Sequence, residues 1–280
     1  MTVEVIPVQK HIIKPSRGWR DLSLGELWDY RELVYFLIWR DVKVRYKQTL
    51  FGAGWAILKP FLGMVVFSII FGRLAGLPTD GIPGPVFYFA GLLPWILFQD
   101  GVSKSSMSLV AGRSLLTKVY FPRLAMPLAS VSAGLVDFGL SFIVLLGLML
   151  FYSTPLGSQW WTSPLFVAWG LLASFGVGLW LSALNVLYRD VSYITPFLLQ
   201  AWFFATPVVY SATMIPDGPW QLLYSLNPMA GVVQGFRWAM LGVGEAPGLL
   251  SAVSFGMTIL ILISGIIFFR RMERSFADVI

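Results

Sequence analysis

The apolar residues of this chain are gathered into six runs. Trp55 to Phe71 is interrupted only by Lys59-Pro60. Val86 to Phe98 carries no charge and continues through Gln99 and Asp100 towards Ser108. Leu128 to Phe151 holds a single charge, Asp137. Leu165 to Leu187, Val191 to Tyr210 and Leu249 to Phe269 hold none. A helix needs roughly 20 residues to cross about 30 Å of hydrocarbon. Four runs meet that length, and the first two reach it with their flanks. The pattern predicts an all-α membrane protein with six transmembrane helices.

Two segments outside the runs have a pattern of their own. Glu26 to Gln48 mixes charges with Leu27, Val34, Leu37, Ile38 and Trp39. It reads as an N-terminal amphipathic interfacial helix, or as a soluble helix packed on a cytoplasmic partner. After the fifth run, Asp217-Gly218-Pro219 and Asn227-Pro228 each have a cap residue followed by proline, the signature of a helix start. Helices begun there would span roughly 7 and 14 residues and end near Gly242, too short to cross. Their apolar sequences suit a re-entrant helical hairpin between spans five and six; the alternative is one surface helix and a loop. The organisation expected is a cytoplasmic leader over 1–50 and a six-helix transmembrane domain over 51–280. The first residues (about 25) lack the apolar run of a secretory signal, so insertion through an internal segment is expected.

Composition supports the membrane reading. The 280 residues are 57% hydrophobic and 12% charged, where a soluble domain carries about 25% charged residues. The net charge of +6 is a topology signal rather than a nucleic-acid footprint. With the N-terminus inside, all but three of the 20 Lys and Arg residues fall on the cytoplasmic side. The three are Lys59 within span one, and Arg73 and Arg237 on the outer side. Both termini are therefore expected in the cytoplasm, with the chain in the cytoplasmic (inner) membrane.

Little in the chain suggests bond-making chemistry. Cysteine is absent and the single histidine is His11, which removes thiolate chemistry and the commonest general base. No phosphate-binding loop, zinc motif or acidic metal run is present, so no catalytic or metal residue is assigned. Asp100 and Asp137 lie on different spans with no spacing that pairs them. Lys59 fits a side chain snorkelling to the cytoplasmic interface. Asp137 lies deeper and needs a partner, such as Ser132, Ser141 or a residue on another helix. Arg237 either meets an anionic substrate or pairs with Glu245. Arg189 and Asp190 occupy a tight turn and either cap span five or pair with each other. Aromatics cluster on span two (Phe87, Tyr88, Phe89, Trp95, Phe98) and span five (Trp202, Phe203, Phe204), where they could face sugars or lipid.

Several separated motifs carry a resemblance. They are Arg45-Tyr46-Lys47-Gln48-Thr49-Leu50-Phe51-Gly52 with Trp55 and Pro60, then Phe89-Ala90-Gly91-Leu92-Leu93-Pro94-Trp95. Lys118-Val119-Tyr120-Phe121-Pro122-Arg123 follows, with Pro127. Asn185-Val186-Leu187-Tyr188-Arg189-Asp190-Val191, Pro207-Val208-Val209-Tyr210 and Asn227-Pro228 complete the series. In this order, from about residue 30 onward, the chain resembles the ABC-2 type permeases of bacterial polysaccharide export, which move O-antigen, capsule or teichoic-acid chains on a lipid anchor.

The resemblance implies a half-transporter: a homodimer with two nucleotide-binding ATPase subunits. No cofactor is expected in this chain, because ATP and Mg would be bound by the partner ATPase. The loop containing Arg113, Leu116, Lys118, Tyr120, Phe121 and Arg123 would dock on that partner. Where the family often has Asn before the Leu-Leu of this loop, the chain has Gly112-Arg113-Ser114-Leu115-Leu116. Arg45, Tyr46, Lys47 and Arg189 would form a gate and lipid-headgroup region, and paired cations suit a pyrophosphate. Trp55, Tyr88, Trp95 and Phe98 are the channel aromatics implied, with Asn227 and Arg237 at the outer gate. The expected function is a non-enzymatic permease exporting a polyprenyl-pyrophosphate-linked or other lipid-linked polysaccharide. The alternatives are an ABC-2 exporter of a smaller lipid or drug, and a membrane-embedded glycan or lipid transferase using Asp100 or Asp137.

Overall fold

The computed structural model describes residues 24–47, 52–216, 218–273 and 276. His11, Asp217 and the stretch from Gln48 to Phe51 lie outside the described residues. Everything regular among the described residues is helical. Helix α1 is Leu24–Asp29 and α2 is Arg31–Tyr46, so the leader expected as one helix is broken at Tyr30. Helix α3, Gly54–Phe67, continues as a π-helical segment, Ser68–Leu74. Helix α4 is Gly84–Ala111 and the short α5 is Arg113–Leu116. The third apolar run folds as two helices, α6 (Ala125–Ser132) and α7 (Gly134–Phe151), separated at Ala133.

Helix α8 is Ser163–Leu187 and α9 is Val191–Phe204. Then come α10 (Pro219–Ser225), α11 (Pro228–Leu241) and α12 (Leu249–Glu273). The two short helices fall where the Gly-Pro and Asn-Pro signals place them. Asn227 caps α11 by accepting the Met229 amide at 3.0 Å, and proline occupies the first turn, where no amide is needed. Gly242 ends α11 with a φ of 69°, a conformation that side chains with a Cβ disfavour.

Five helical stretches are long and apolar enough to cross a membrane: Gly54–Leu74, Gly84–Ala111, Ala125–Phe151, Trp160–Leu187 and Leu249–Glu273. The fifth apolar run falls short of this, because its helix, α9, is only 14 residues and its chain leaves regular structure at Ala205. Pro207 cannot donate a helical hydrogen bond, which is the local reason for the stop.

Helix α4 is the centre of the structure. It packs against α3, α6, α7, α8, α9 and α11, and 78% of its apolar window is buried, against 11% for Gly54–Leu74. Membrane helices gain nothing by hiding apolar groups from lipid, so close contact has to come from small residues and van der Waals fit. Helix α8 supplies these on two faces. A Cβ on Gly178 would lie 2.6 Å from the Cβ of Ser105 on α4. A Cβ on Gly176 would lie 2.9 Å from the backbone of Leu262 on α12. The α12 partner is equally tight: a Cβ on Gly265 would meet the carbonyl oxygen of Gly176 at 2.7 Å.

Two apolar clusters divide the molecule. One joins α2, the end of α4, α6, the ends of α8 and α12, and Phe276, with Leu37, Leu109, Leu124 and Phe269 fully buried. The second, larger cluster unites the start of α4 with α7, α8, α9 and α11. The first lies at the end that gathers α2, α5 and the last turn of α12, here called the basic end.

Gly176→Leu should cost about 1–3 kcal/mol or more through overpacking, read as loss of monodisperse protein on size-exclusion after detergent extraction. Gly139→Leu, whose Cβ meets nothing within 4 Å, should elute as wild type.

Candidate functional site: a charge cluster and an arginine clasp

The structure brings together charges that the sequence leaves on four separate helices. At the basic end, Asp137 of α7 forms an ion pair with Arg45 of α2, and the Tyr46 hydroxyl donates to the same carboxylate. Lys104 lies 3.8 Å from Asp137 and 3.8 Å from Asp100. The Lys59 ammonium of α3 donates to Asp100 at 2.7 Å. Three cations and two carboxylates leave this group with one excess positive charge. The residues line a cleft of about 150 Å³ whose apolar wall includes Trp55, Leu93 and Phe138. Its open side is at Lys59, whose side chain is 52% exposed.

Several expectations are corrected here. Asp100 and Asp137 do share a site, because Lys104 reaches both. Lys104 is one turn beyond Asp100 on α4, and their i, i+4 spacing allows an attraction along that helix. Lys59 bonds Asp100 as well as reaching solvent. Of the partners expected for Asp137, it is residues on other helices that serve, Arg45 and Tyr46 of α2 and Lys104 of α4, while the Ser141 hydroxyl donates to the Ala56 carbonyl at 2.7 Å. Burial lowers the Arg45 pKa from its ordinary value, and the carboxylates of Asp100 and Asp41 oppose that shift. Lys47 is exposed at the end of α2, outside the cluster. Arg189 is also exposed, and makes no ion pair with Asp190 among the described residues.

The loop expected to dock a partner divides into buried and exposed parts. Phe121 is buried in the basic-end cluster, and Leu116 packs against it. Arg123 donates to the Glu273 carbonyl at 2.7 Å and stands over the Phe276 ring, which ties the loop to the end of α12. Arg113, Lys118 and Tyr120 are exposed. An anchored base thus presents a mixed cationic and aromatic tip.

The two outer-gate candidates both hold the end of α9. Asn227 accepts from the Trp202 indole at 2.9 Å and donates to the Ala205 carbonyl and the Thr206 hydroxyl. Arg237 is fully enclosed and forms no ion pair with Glu245 among the described residues. Its guanidinium donates to the carbonyls of Phe87, Pro207, Val208 and Tyr210, and lies 3.8 Å from the Phe87 ring centre. Three of these carbonyls belong to the irregular stretch after α9 and the fourth, Phe87, to α4, so the cation ties that stretch to α4. Gly91 makes the room: a Cβ there would lie 2.8 Å from the Val208 carbonyl oxygen and collide with the guanidinium.

Of the channel aromatics, Tyr88, Trp95 and Phe98 are fully buried between helices of the one chain. Trp95 packs on Phe98 and Phe203, and Phe98 on Trp202. These rings face protein rather than a lumen, because α4 is surrounded on all sides. Trp55 differs: it is half-exposed at the mouth of the charged cleft.

The profile of the ABC-2 type transporter family matches residues 32–241. The chain belongs to the ABC-2 type transporter family. It is 36% identical over 219 residues to the O-antigen export system permease protein RfbA of Myxococcus xanthus, covering 76% of this chain and 81% of the relative. An O-antigen export permease RfbA of Klebsiella pneumoniae is 28% identical over 263 residues, covering 92% of this chain and 97% of the relative. The polysialic acid transport protein KpsM of Escherichia coli is 25% identical over 252 residues, covering 86% and 94%. The family match encloses the charge cluster, the arginine clasp and the loop from Arg113 to Arg123 of this ABC-2 chain.

Two predictions follow from this geometry. Arg45→Ala and Asp137→Ala should each cost about 1–3 kcal/mol, since Asp137 then keeps only Tyr46 and Lys104 and a half-buried Arg45 loses its carboxylate. The double variant should cost less than the sum, as a double-mutant cycle of thermal stability in detergent would read. Arg237→Met should abandon several carbonyls at about 1–3 kcal/mol each. Gly91→Ala should produce the same loss of monodisperse protein by displacing the guanidinium.

Proposed function

We propose that the chain is the membrane subunit of an ATP-driven transporter that exports a lipid-linked, O-antigen-like polysaccharide across the cytoplasmic membrane. The observation that carries this reading is the similarity along nearly the whole chain to permeases named for O-antigen export. Two copies and two ATPase subunits would form the machine, with ATP and Mg held by the ATPase. Six crossings complete the path, with α9 and the segment to Tyr210 as the fifth. Helices α10 and α11 would dip in as a re-entrant hairpin, and α2 would lie along the cytoplasmic interface. In this arrangement 1–50 is the cytoplasmic leader, 51–280 the transmembrane domain, and both termini are cytoplasmic.

The charge cluster fits this role. One excess positive charge beside a half-exposed tryptophan suits a phosphate-bearing headgroup arriving at a cytoplasmic gate. Lys47 and Arg189 would add long-range attraction from their exposed positions. The tip carrying Arg113, Lys118 and Tyr120 would receive the ATPase, and its anchored base would pass the motion to α4, α8 and α12. Lys118→Glu leaves every described contact intact, so it should insert normally. It should lower export by about 5–150-fold, the range spanned by 1–3 kcal/mol of coupling energy. Immunoblotting of membranes and staining of cell-surface polysaccharide in a host lacking the native gene measure the two. Undiminished export would remove the docking role, and surface polysaccharide that never depended on the chain would remove the function.

A further inference from the structure

A second cleft, of about 240 Å³, lies at the end away from the charge cluster and has no part in the gate. It is walled by α10, α11, the first turns of α12 and the loops around Asp80, Ser211 and Glu245. Its lining is unusual for a chain that is 57% hydrophobic. Asp80, Gln221, Tyr224, Gln234, Glu245 and Ser251 all face it. We propose that this cleft is a saccharide-binding subsite on the exit side of the transporter.

The argument is one of matched chemistry. The lining offers carboxylates that only accept hydrogen bonds, carboxamides that donate and accept, and hydroxyls that do both. That mixture suits a polyol, whose every hydroxyl also donates and accepts. It does not suit an anion. Among the described residues, Arg237 is the one cation in the wall and is committed to four backbone carbonyls, while Asp80 and Glu245 make the site repel negative charge. Nor does it suit an acyl chain, which would strand these polar groups without water. The volume is below the roughly 300–1,000 Å³ of a pocket for a drug-sized ligand, in keeping with a short stretch of sugar.

The cleft is built rather than incidental. The Ser211 hydroxyl donates to Asp80 at 2.7 Å, which holds one wall. Ser254 at the floor donates to the Asn227 carbonyl at 2.7 Å and accepts from the Gly231 amide. Gly231 lets α11 come up close to Trp169 and Ser254 beneath this floor, where a Cβ would lie 2.4 Å from the Trp169 ring. Beyond Tyr224 and Ile215, which both clefts share, lies a third, apolar cleft lined by Trp202, Tyr210 and Trp220. Aromatic faces for the C–H side of a sugar thus adjoin polar groups for its hydroxyl side.

The inference rests on the polysaccharide reading and is tested separately from it. The chain has no native cysteine, so Ser251→Cys gives one thiol per permease copy in the full transporter, held in lipid nanodiscs with an ATPase whose own cysteines are replaced by serine. The probe is oligosaccharide released from the host's own surface polysaccharide. It should slow maleimide labelling severalfold, while glycerol at equal osmolarity should not. Adding Gln234→Leu to the same chain should restore the fast rate. Unslowed labelling at saturating oligosaccharide, or equal slowing by glycerol, overturns the subsite. If surface polysaccharide still depends on the wild-type chain, that result leaves the export function standing. Slowed labelling in a transporter on which the host's surface polysaccharide does not depend keeps the subsite and refutes the export reading.

Discussion

The close approach of α4 and α8 is the constraint on which the other contacts depend. Outside the charged end of α4 both helices are largely apolar, so lipid would solvate those lengths as well as protein does. They associate because Gly178 and Ser105 let their surfaces meet without an intervening side chain. With α4 held there, its remaining faces receive α3, α6, α7, α9 and α11. Gly176, on the same helix but a different face, does for α12 what Gly178 does for α4. One helix with two flattened faces therefore organises two layers.

Polar groups then fix what packing alone leaves free. Apolar helices can slide past one another at little cost, whereas an ion pair inside a membrane protein has one good geometry. The Arg45–Asp137 pair and the Tyr46 hydrogen bond set α2 against α7. The Lys59–Asp100 bond sets α3 against α4. At the other end, Asn227 and Arg237 do the same for α11, α9 and α4. The charged connections sit near the two ends of the bundle, and the small-residue contacts lie along its length together with hydrogen bonds such as Trp169–Thr258 and Trp180–Ser264.

Much of this was legible from sequence because the signals are local. The apolar runs place the long helices, and Asn227-Pro228 with Gly242 brackets α11 to the residue. The break at Ala133 and the early stop of α9 were missed, since neither changes the apolar count. The charge cluster was only half legible. Arg45 and Tyr46 were singled out by motif, but their partner Asp137 is about ninety positions away in the chain. The Asp100–Lys104 spacing is a usable local signal, but that Lys104 also reaches Asp137 is visible only in the fold. Arg237 was misread because a cation invites a carboxylate. Here its acceptors are carbonyls, and no residue type advertises those.

The order of those acceptors along the chain bears on how the protein is made. Phe87, Pro207, Val208 and Tyr210 all precede Arg237. A chain emerging from the ribosome has therefore delivered every oxygen that will receive the guanidinium before the guanidinium itself is synthesised. The guanidinium can therefore meet its acceptors as soon as it leaves the ribosome, and this buried charge waits on no later segment of the chain to become tolerable.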